Sequence, residues 1–311
     1  MRTTLRLLPL APVLLLTGCV DFGDFGDSEA YKEDFHHVYP LNSGGSVSIE
    51  TFNGSIELSG WEQNSVEVNG TKYASTRSGL DAIRVDVSSP SGSVRIRATK
   101  DTDFHHNMGM RFTVRVPKRV LLDSISTSNG HVRIEDVDGN ARLHTSNGAI
   151  RVSRLKGELE ARTSNGAIEV DYLEGGAKLH TSNGSIRTES SHGGFEATTS
   201  NGSITARLSD PASTWPIHAS SSNGHIDLRI DAREVPEVRA ETSNSSIVVR
   251  LPAGANADVR ARTSHSSVSS EFDSVRAEND HGHHELNGRI GAGGKMIELS
   301  SSNGTIKIER I

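Results

Sequence analysis

The chain has 311 residues, with 39 Asp and Glu against 33 Lys and Arg, and a formal net charge of −6. Without residues 1–18 the basic count falls to 31, since Arg2 and Arg6 leave, and the formal charge becomes −8. This acidic balance argues against a nucleic-acid partner and against electrostatic adhesion to anionic lipid head groups. Cys19 is the only cysteine, so the chain has no internal disulfide.

Residues 1–18 have the features of a bacterial signal peptide. Arg2 and Arg6 give a positive start, and the apolar run at 7–16 is too short to span a bilayer as a stable helix. The run ends in LTGC, which resembles the lipobox, in which the cysteine is lipidated after cleavage before it. The alternative is an ordinary signal peptide with a cysteine there by chance. We expect an exported protein, anchored to a membrane by acyl chains on Cys19.

Val20 rather than aspartate follows the cysteine, which favours the outer membrane if the host has two membranes. Residues 19–45 are acidic, contain several glycines and show no clear periodicity, so we interpret them as a flexible tether.

Short runs with a period of two fill residues 46–127, for example Val47-Ser48-Ile49. Each run ends near Gly, Pro, Asn or Ser, the pattern of β-strands. We assign 46–127 to an N-terminal β capping region, continuous with a repeat domain over 128–311.

The repeat domain carries a corner of sequence T-S-N-G at a fixed spacing of 18 residues. A second column of glycines, Gly139, Gly157, Gly175 and Gly193, lies halfway between the corners. Later units are longer, so that Asn244 and His265 continue the series and Asn303 closes it. Such a period indicates a repeat architecture. The asparagines expected to form a stacked turn ladder are Asn129, Asn147, Asn165, Asn183, Asn201 and Asn223.

Two architectures fit these units: an antiparallel meander with Asn-Gly hairpins, and a single-chain β-solenoid with coils of about 18–22 residues. In a solenoid, residues i and i+18 are neighbours about 4.8 Å apart. Charges alternate in sign at this spacing in Arg142, Glu160, Lys178 and Glu196, and again in Arg151, Glu169 and Arg187. Opposite charges across paired strands are stabilising. The columns therefore favour the solenoid.

The positions predicted to face inward compensate for one another in volume. Large and small residues exchange places from unit to unit in Ala141/Leu143, Leu159/Ala161, Ala177/Leu179 and Phe195/Ala197. A packed interior requires such compensation, because space must be filled without overlap. For the corners, we expect Asn and Gly to supply the positive φ of a tight turn.

Four segments resemble a bacterial family of β-strand-repeat proteins of unknown function, often called putative adhesins. They are VSIETFNGSIELSGWEQNSVEV from Val47, FTVRVPKRVLLDSISTSNGHVRI from Phe112, the T-S-N-G units, and LNGRIGAGGKMIELSSSNGTIKI from Leu286. The resemblance covers 38–311 and is broken at 209–217 and 271–284. It implies a β-solenoid on an envelope protein and carries no catalytic residues.

An enzyme acting on polysaccharide is the alternative to a scaffold or interaction module. Such chemistry needs converging carboxylates in a groove. Glu135, Asp171 and Glu189 share one outward column, but Ser153 interrupts it and arginines neighbour it. Aromatic residues are 5% of the chain, too few for a sugar-stacking cleft. We therefore expect no catalytic residues and no enzyme activity.

No cofactor motif is present, and the candidates for a metal site are His281, His283 and His284. They lie in a polar insertion without a carboxylate pattern, so we predict no metal site. Trp61 is interpreted as a core or capping residue and Trp215 as an insertion residue, rather than as ligand platforms. The sequence thus predicts an adhesin-like module whose partners are the membrane and an unidentified protein or glycan of the envelope or the exterior.

Overall fold

The computed structural model describes residues 30–101, 107–209, 215–277 and 284–311. Within these ranges the chain forms 27 strands and one short helix. The strands build two long sheets of 13 and 14 strands, called here sheet A and sheet B. The prediction of an all-β fold is confirmed.

The N-terminal part contains seven strands and the helix. They are β1 (Tyr31–Pro40), β2 (Ser46–Asn53), β3 (Ile56–Trp61), β4 (Ser65–Ala74), α1 (Arg77–Asp81), β5 (Ile83–Ser88), β6 (Ser93–Lys100) and β7 (Met108–Pro117).

The central part alternates strictly between the sheets, because each coil gives one strand to sheet B and the next to sheet A. Its strands are β8 (Leu121–Asn129), β9 (Val132–Asp138), β10 (Ala141–Asn147), β11 (Ile150–Lys156), β12 (Leu159–Thr163), β13 (Ile168–Glu174), β14 (Ala177–His180), β15 (Ile186–His192), β16 (Phe195–Thr199), β17 (Ile204–Ser209), β18 (Ile217–Ser221), β19 (Ile226–Asp231), β20 (Val238–Thr242) and β21 (Ile247–Leu251).

The C-terminal part completes both sheets with β22 (Ala257–Thr263), β23 (Val268–Ser270), β24 (Val275–Ala277), β25 (Glu285–Ile290), β26 (Met296–Ser301) and β27 (Ile306–Arg310).

Consecutive coils stack in parallel with the predicted register. Ala141 pairs with Leu159, which pairs with Ala177, which pairs with Phe195. All four side chains are at most 5% exposed. The neighbouring inward column, Leu143, Ala161, Leu179 and Ala197, is buried in the same way. Parallel pairing at a separation of 18 residues excludes the meander and confirms the solenoid.

At both ends of the stack the coils depart from chain order. The coil of β2 and β3 lies between β6–β7 and β8–β9. The coil of β26 and β27 lies between β20–β21 and β22–β23. Antiparallel strands close the stack, with β4 and β5 at one end and β25 at the other. Residues 46–127 therefore contain a full coil of the solenoid in addition to a cap.

This order corrects the series predicted for the last corners. His265 was placed directly after Asn244, but Asn303 occupies that position, with its Nδ2 2.8 Å from Asn244 Oδ1. The backbone N–H of His265 donates to Ser302 O at 3.0 Å, one coil further out.

The tether predicted over 19–45 is also corrected in part. Tyr31–Pro40 form β1, which pairs antiparallel with β4 along the edge of sheet A. Phe35 and Tyr39, spaced as alternate residues of a strand, pack against the main hydrophobic core. Because this partner strand is distant in sequence, local periodicity gave little indication of it. Among the described residues, no helix combines the length and apolar character needed to cross a membrane.

Candidate functional site

The T-S-N-G corners are held together by hydrogen bonds from buried threonines. In each, the hydroxyl donates to the glycine carbonyl of the preceding coil, as from Thr145 to Gly130 at 3.0 Å and from Thr181 to Gly166 at 2.9 Å. Both threonines are fully buried. A buried hydroxyl needs such a partner, so threonine at this position couples each corner to its neighbour.

The asparagines of the corners form one continuous ladder, in which each Nδ2 donates to the Oδ1 of the preceding coil. The eight bonds measure 2.6–2.9 Å and join Asn53, Asn129, Asn147, Asn165, Asn183, Asn201, Asn223, Asn244 and Asn303. The first of these side chains, Asn53, donates to Met108 O at 3.0 Å. The six predicted asparagines all lie in this ladder. Asn53 was missed, although the pair Asn53-Gly54 was visible in the sequence.

The glycine of each corner is required for a reason other than the predicted positive φ. A Cβ on Gly148 would lie 2.0 Å from Gly130 O, and one on Gly166 would lie 2.0 Å from Gly148 O. Neither glycine has a positive φ. The second glycine column does, with φ of 144° at Gly157. Close stacking, rather than turn handedness, therefore selects glycine at the T-S-N-G corner.

A ladder of charged side chains runs along the outer face of sheet B. Arg142 pairs in register with Glu160, Glu160 with Lys178, and Lys178 with Glu196. Arg142 Nε lies 3.4 Å from Glu160 Oε2, and Lys178 Nζ lies 3.3 Å from Glu196 Oε2. Arg142 Nη1 also lies 3.3 Å from Asp123 Oδ1. The alternating charges therefore form ion pairs between successive coils.

Beside this charged ladder lies a groove of about 510 Å³, which is the main candidate site. Its floor includes the buried side chains of Leu159 and Phe195. Leu121 and Trp215 border it and are each 41% exposed. An exposed indole next to a row of fixed polar groups can contact a ligand through both apolar and polar atoms.

Trp215 has a seat formed by two glycines. A Cβ on Gly176 would lie 2.6 Å from Trp215 Cζ3, and a Cβ on Gly194 would lie 2.6 Å from Trp215 Cε3. The interpretation of Trp215 as an insertion residue missed this placement. The signal was the glycine doublets 175–176 and 193–194, where earlier coils have Asn140 and Glu158 after the first glycine. Trp61, by contrast, donates to Ser65 O at 2.8 Å near the N-terminal end of the stack.

The three carboxylates considered for catalysis lie on the outer face of sheet A. Ser153 separates Glu135 from Asp171, and Asp171 is in register with Glu189. Arg133 Nε donates to Glu135 Oε1 at 2.7 Å, and Arg187 Nη2 donates to Glu189 Oε1 at 2.9 Å. Two of the three are thus paired with arginines of their own strands.

A bulge beside these carboxylates has unusual backbone geometry. Asp136, Arg154 and Tyr172 stack at successive coils with φ of 57°, 53° and 55°, values that side chains other than glycine rarely adopt. Arg154 holds Asp136 in a bidentate pair, with Nε to Oδ1 at 2.6 Å and Nη2 to Oδ2 at 2.8 Å. This hydrogen bond lowers the pKa of Asp136 and raises that of Arg154. The pair has a structural role, because it ties two strained residues together.

The remaining predicted site residues have few described contacts. Cys19, His281 and His283 lie outside the described residues. His284 Nδ1 is within hydrogen-bonding distance of Ser266 O. The described part of the chain contains no group of three or more His, Cys, Asp or Glu side chains that could hold a metal ion.

Parallel coils, two continuous sheets and the asparagine ladder define this molecule as a β-solenoid. The family model Toastrack DUF4097 matches residues 113–309, which is more than half of the chain. The protein therefore belongs to the Toastrack DUF4097 family, and the predicted resemblance is confirmed. A comparison with the curated proteins gives no match.

Two solved structures are similar over most of their length. One is a putative cell adhesion protein from Clostridium sporogenes, with 9% identity, a TM-score of 0.22, and coverage of 90% of this chain and 100% of that chain. The other is a putative adhesin from Bacteroides fragilis, with 13% identity, a TM-score of 0.36, and coverage of 90% and 97%. At these TM-scores neither similarity supports a functional argument.

Proposed function

We propose that this protein is a non-catalytic interaction module, anchored to a membrane of the cell envelope through lipid on Cys19. The groove on the outer face of sheet B is its ligand-contacting surface. The observation that carries this proposal is the exposed Trp215 beside a row of charged groups that neutralise one another. Such a surface offers contact area and hydrogen-bonding groups, which are what a binding site needs.

The pairing of the carboxylates supports binding rather than catalysis. General acid–base catalysis of glycoside hydrolysis uses two carboxyl groups on opposite sides of the scissile bond. Glu160 and Glu196 in the groove, and Glu135 and Glu189 on sheet A, are each paired with a basic side chain. All four lie on the outer faces of the solenoid.

The anchor is tested with the substitution Cys19→Ser in the native host. Wild-type protein is expected in the detergent phase after phase separation, and the variant in the aqueous phase or retained as unprocessed precursor. Thr3→Ser, in the leader but outside LTGC, is the matched control and should behave like wild type. Equal partitioning of Cys19→Ser and wild type would contradict lipidation.

The absence of catalysis is tested by incubating the full-length protein with polysaccharides and measuring new reducing and unsaturated ends. We expect no product above the background of a heat-denatured sample. Release of product that is lost in Asp171→Asn or Glu189→Gln would replace the interaction module with a polysaccharide-active enzyme.

A further inference from the structure

We propose that the groove on sheet B binds an uncharged glycan chain, with Trp215 as the platform on which a sugar ring stacks. This inference rests on the proposed function and adds the class of ligand.

The first argument is the way Trp215 is supported. Its six-membered ring lies against the backbone of Gly176 and Gly194, since a Cβ at either position would come within 2.6 Å of it. The equivalent positions of the two preceding coils hold Asn140 and Glu158, whose side chains line the same groove. The coils beneath the indole therefore lack side chains where the ring needs space. A seated indole that stays 41% exposed has one face held by the protein and leaves apolar area for a ligand.

The second argument is the charge of the groove. Asp123, Arg142 and Glu160 are linked by contacts of 3.3 and 3.4 Å, and Lys178 is paired with Glu196 at 3.3 Å. A polyanion would meet more carboxylates than cations here, and a polycation would have to displace the existing pairs. An uncharged ligand meets neither obstacle.

The third argument is the chemistry that paired charges and an indole offer together. Guanidinium and carboxylate groups held in fixed pairs present donors and acceptors that suit hydroxyl groups, as charged hydrogen-bonding partners are stronger than neutral ones. The polarised C–H bonds on the face of a sugar ring are attracted to the negative π-face of an indole, for the same reason that cations are. An uncharged glycan has both features in every residue.

The length of the groove fits a chain rather than a single sugar. Its lining includes residues from the coils of β8, β10, β12, β14, β16 and β18. Neighbouring strands lie about 4.8 Å apart, so the six strands extend over roughly 24 Å. One indole is sufficient for a single stacking position, which the low aromatic content of the chain permits.

The proposal is tested by calorimetric titration of detergent-solubilised full-length protein. The probes are hexasaccharides of β-1,4-linked glucose and of β-1,4-linked N-acetylglucosamine, with an anionic polyuronate oligomer and a lysine-rich peptide for comparison. We expect at least one neutral hexasaccharide to bind, and Trp215→Ala to weaken that binding by about tenfold or more. Trp215→Phe should retain part of the affinity, because a smaller aromatic face remains.

Tyr172→Ala is the matched control. Tyr172 is 58% exposed but lies on sheet A, so its loss should leave glycan affinity unchanged. Far-UV circular dichroism checks that each variant is folded; Trp215 is a surface side chain, so its replacement should preserve the solenoid.

The possible results separate the two proposals. No binding of either neutral hexasaccharide, or binding that Trp215→Ala leaves unchanged, would overturn the glycan site. Binding of the polyuronate or the peptide instead, with loss in Trp215→Ala, would overturn the ligand class but leave the interaction module intact. Cleavage of a bound hexasaccharide would overturn the non-catalytic function itself.

Discussion

Replacing Gly166 with alanine should strongly destabilise the solenoid. The new Cβ would lie 2.0 Å from Gly148 O and 2.5 Å from Gly148 C, both backbone atoms of the preceding coil. Carbon atoms of this kind are essentially never found closer than 3.0 Å, so the two coils must separate locally by about 1 Å.

The cost follows from the hydrogen bonds that cross this gap. Asn165 N donates to Ser146 O at 2.9 Å, and Asn165 Nδ2 donates to Asn147 Oδ1 at 2.8 Å. An opening of about 1 Å takes both beyond the hydrogen-bonding range. Each bond contributes about 0.5–1.5 kcal/mol, and forced repacking adds about 1–3 kcal/mol. We therefore expect Gly166→Ala to lower the free energy of unfolding by about 3 kcal/mol or more.

The measurement is urea denaturation followed by circular dichroism, with the slope of the transition compared between variants. Gly254→Ala is the matched control. A Cβ on Gly254 meets nothing within 4 Å, so this variant should stay within about 1 kcal/mol of wild type. If the two variants differ by less than about 1 kcal/mol with unchanged slopes, close stacking does not select glycine at the corners.

Three further predictions test the register and the interior. Glu160→Lys should cost a few tenths to about 1 kcal/mol for each like-charged neighbour, less at high salt, and adding Lys178→Glu should recover part of it; a coupling energy of zero in the double-mutant cycle would contradict the stacking. Leu179→Ala should cost about 2–5 kcal/mol in urea denaturation, because its neighbours in the column are alanines. Glu169→Ala, on the surface, should cost well under 1 kcal/mol, and equal losses at these two positions would disprove the inward and outward assignment. Thr188→Val should raise the midpoint by about 1 kcal/mol equivalent, since its fully buried hydroxyl has no hydrogen-bond partner among the described residues; destabilisation would show that the hydroxyl is satisfied.

The residues of one coil were sufficient to predict the central solenoid. A spacing of 18 residues aligned Arg142 with Glu160 and Leu143 with Ala161, and the structure has this register. Asn129 and its successors were predicted to stack for the same reason. These features could be predicted because each unit repeats the same local pattern, so the partner of every strand is the equivalent strand of the next unit.

The candidate groove could be predicted only in part. Its charged ladder followed from the period, but the position of Trp215 did not. The indole belongs to a coil that carries an insertion, and it packs on Gly176 and Gly194 of two earlier coils. An insertion interrupts the period, so the sequence gives no register for the side chain that follows it.

The sequence by itself determined the coil: its length, its inward and outward residues, and the Thr, Asn and Gly that its corner requires. Only the tertiary structure decided the order of the coils at the two ends and the pairing of β1 with β4. Coils such as β26–β27 and β22–β23 have the same local pattern, so either could follow β20–β21 on local grounds. The choice depends on which arrangement buries the apolar faces and pairs the strand edges of the whole stack, and that free energy is shared among segments far apart in the chain.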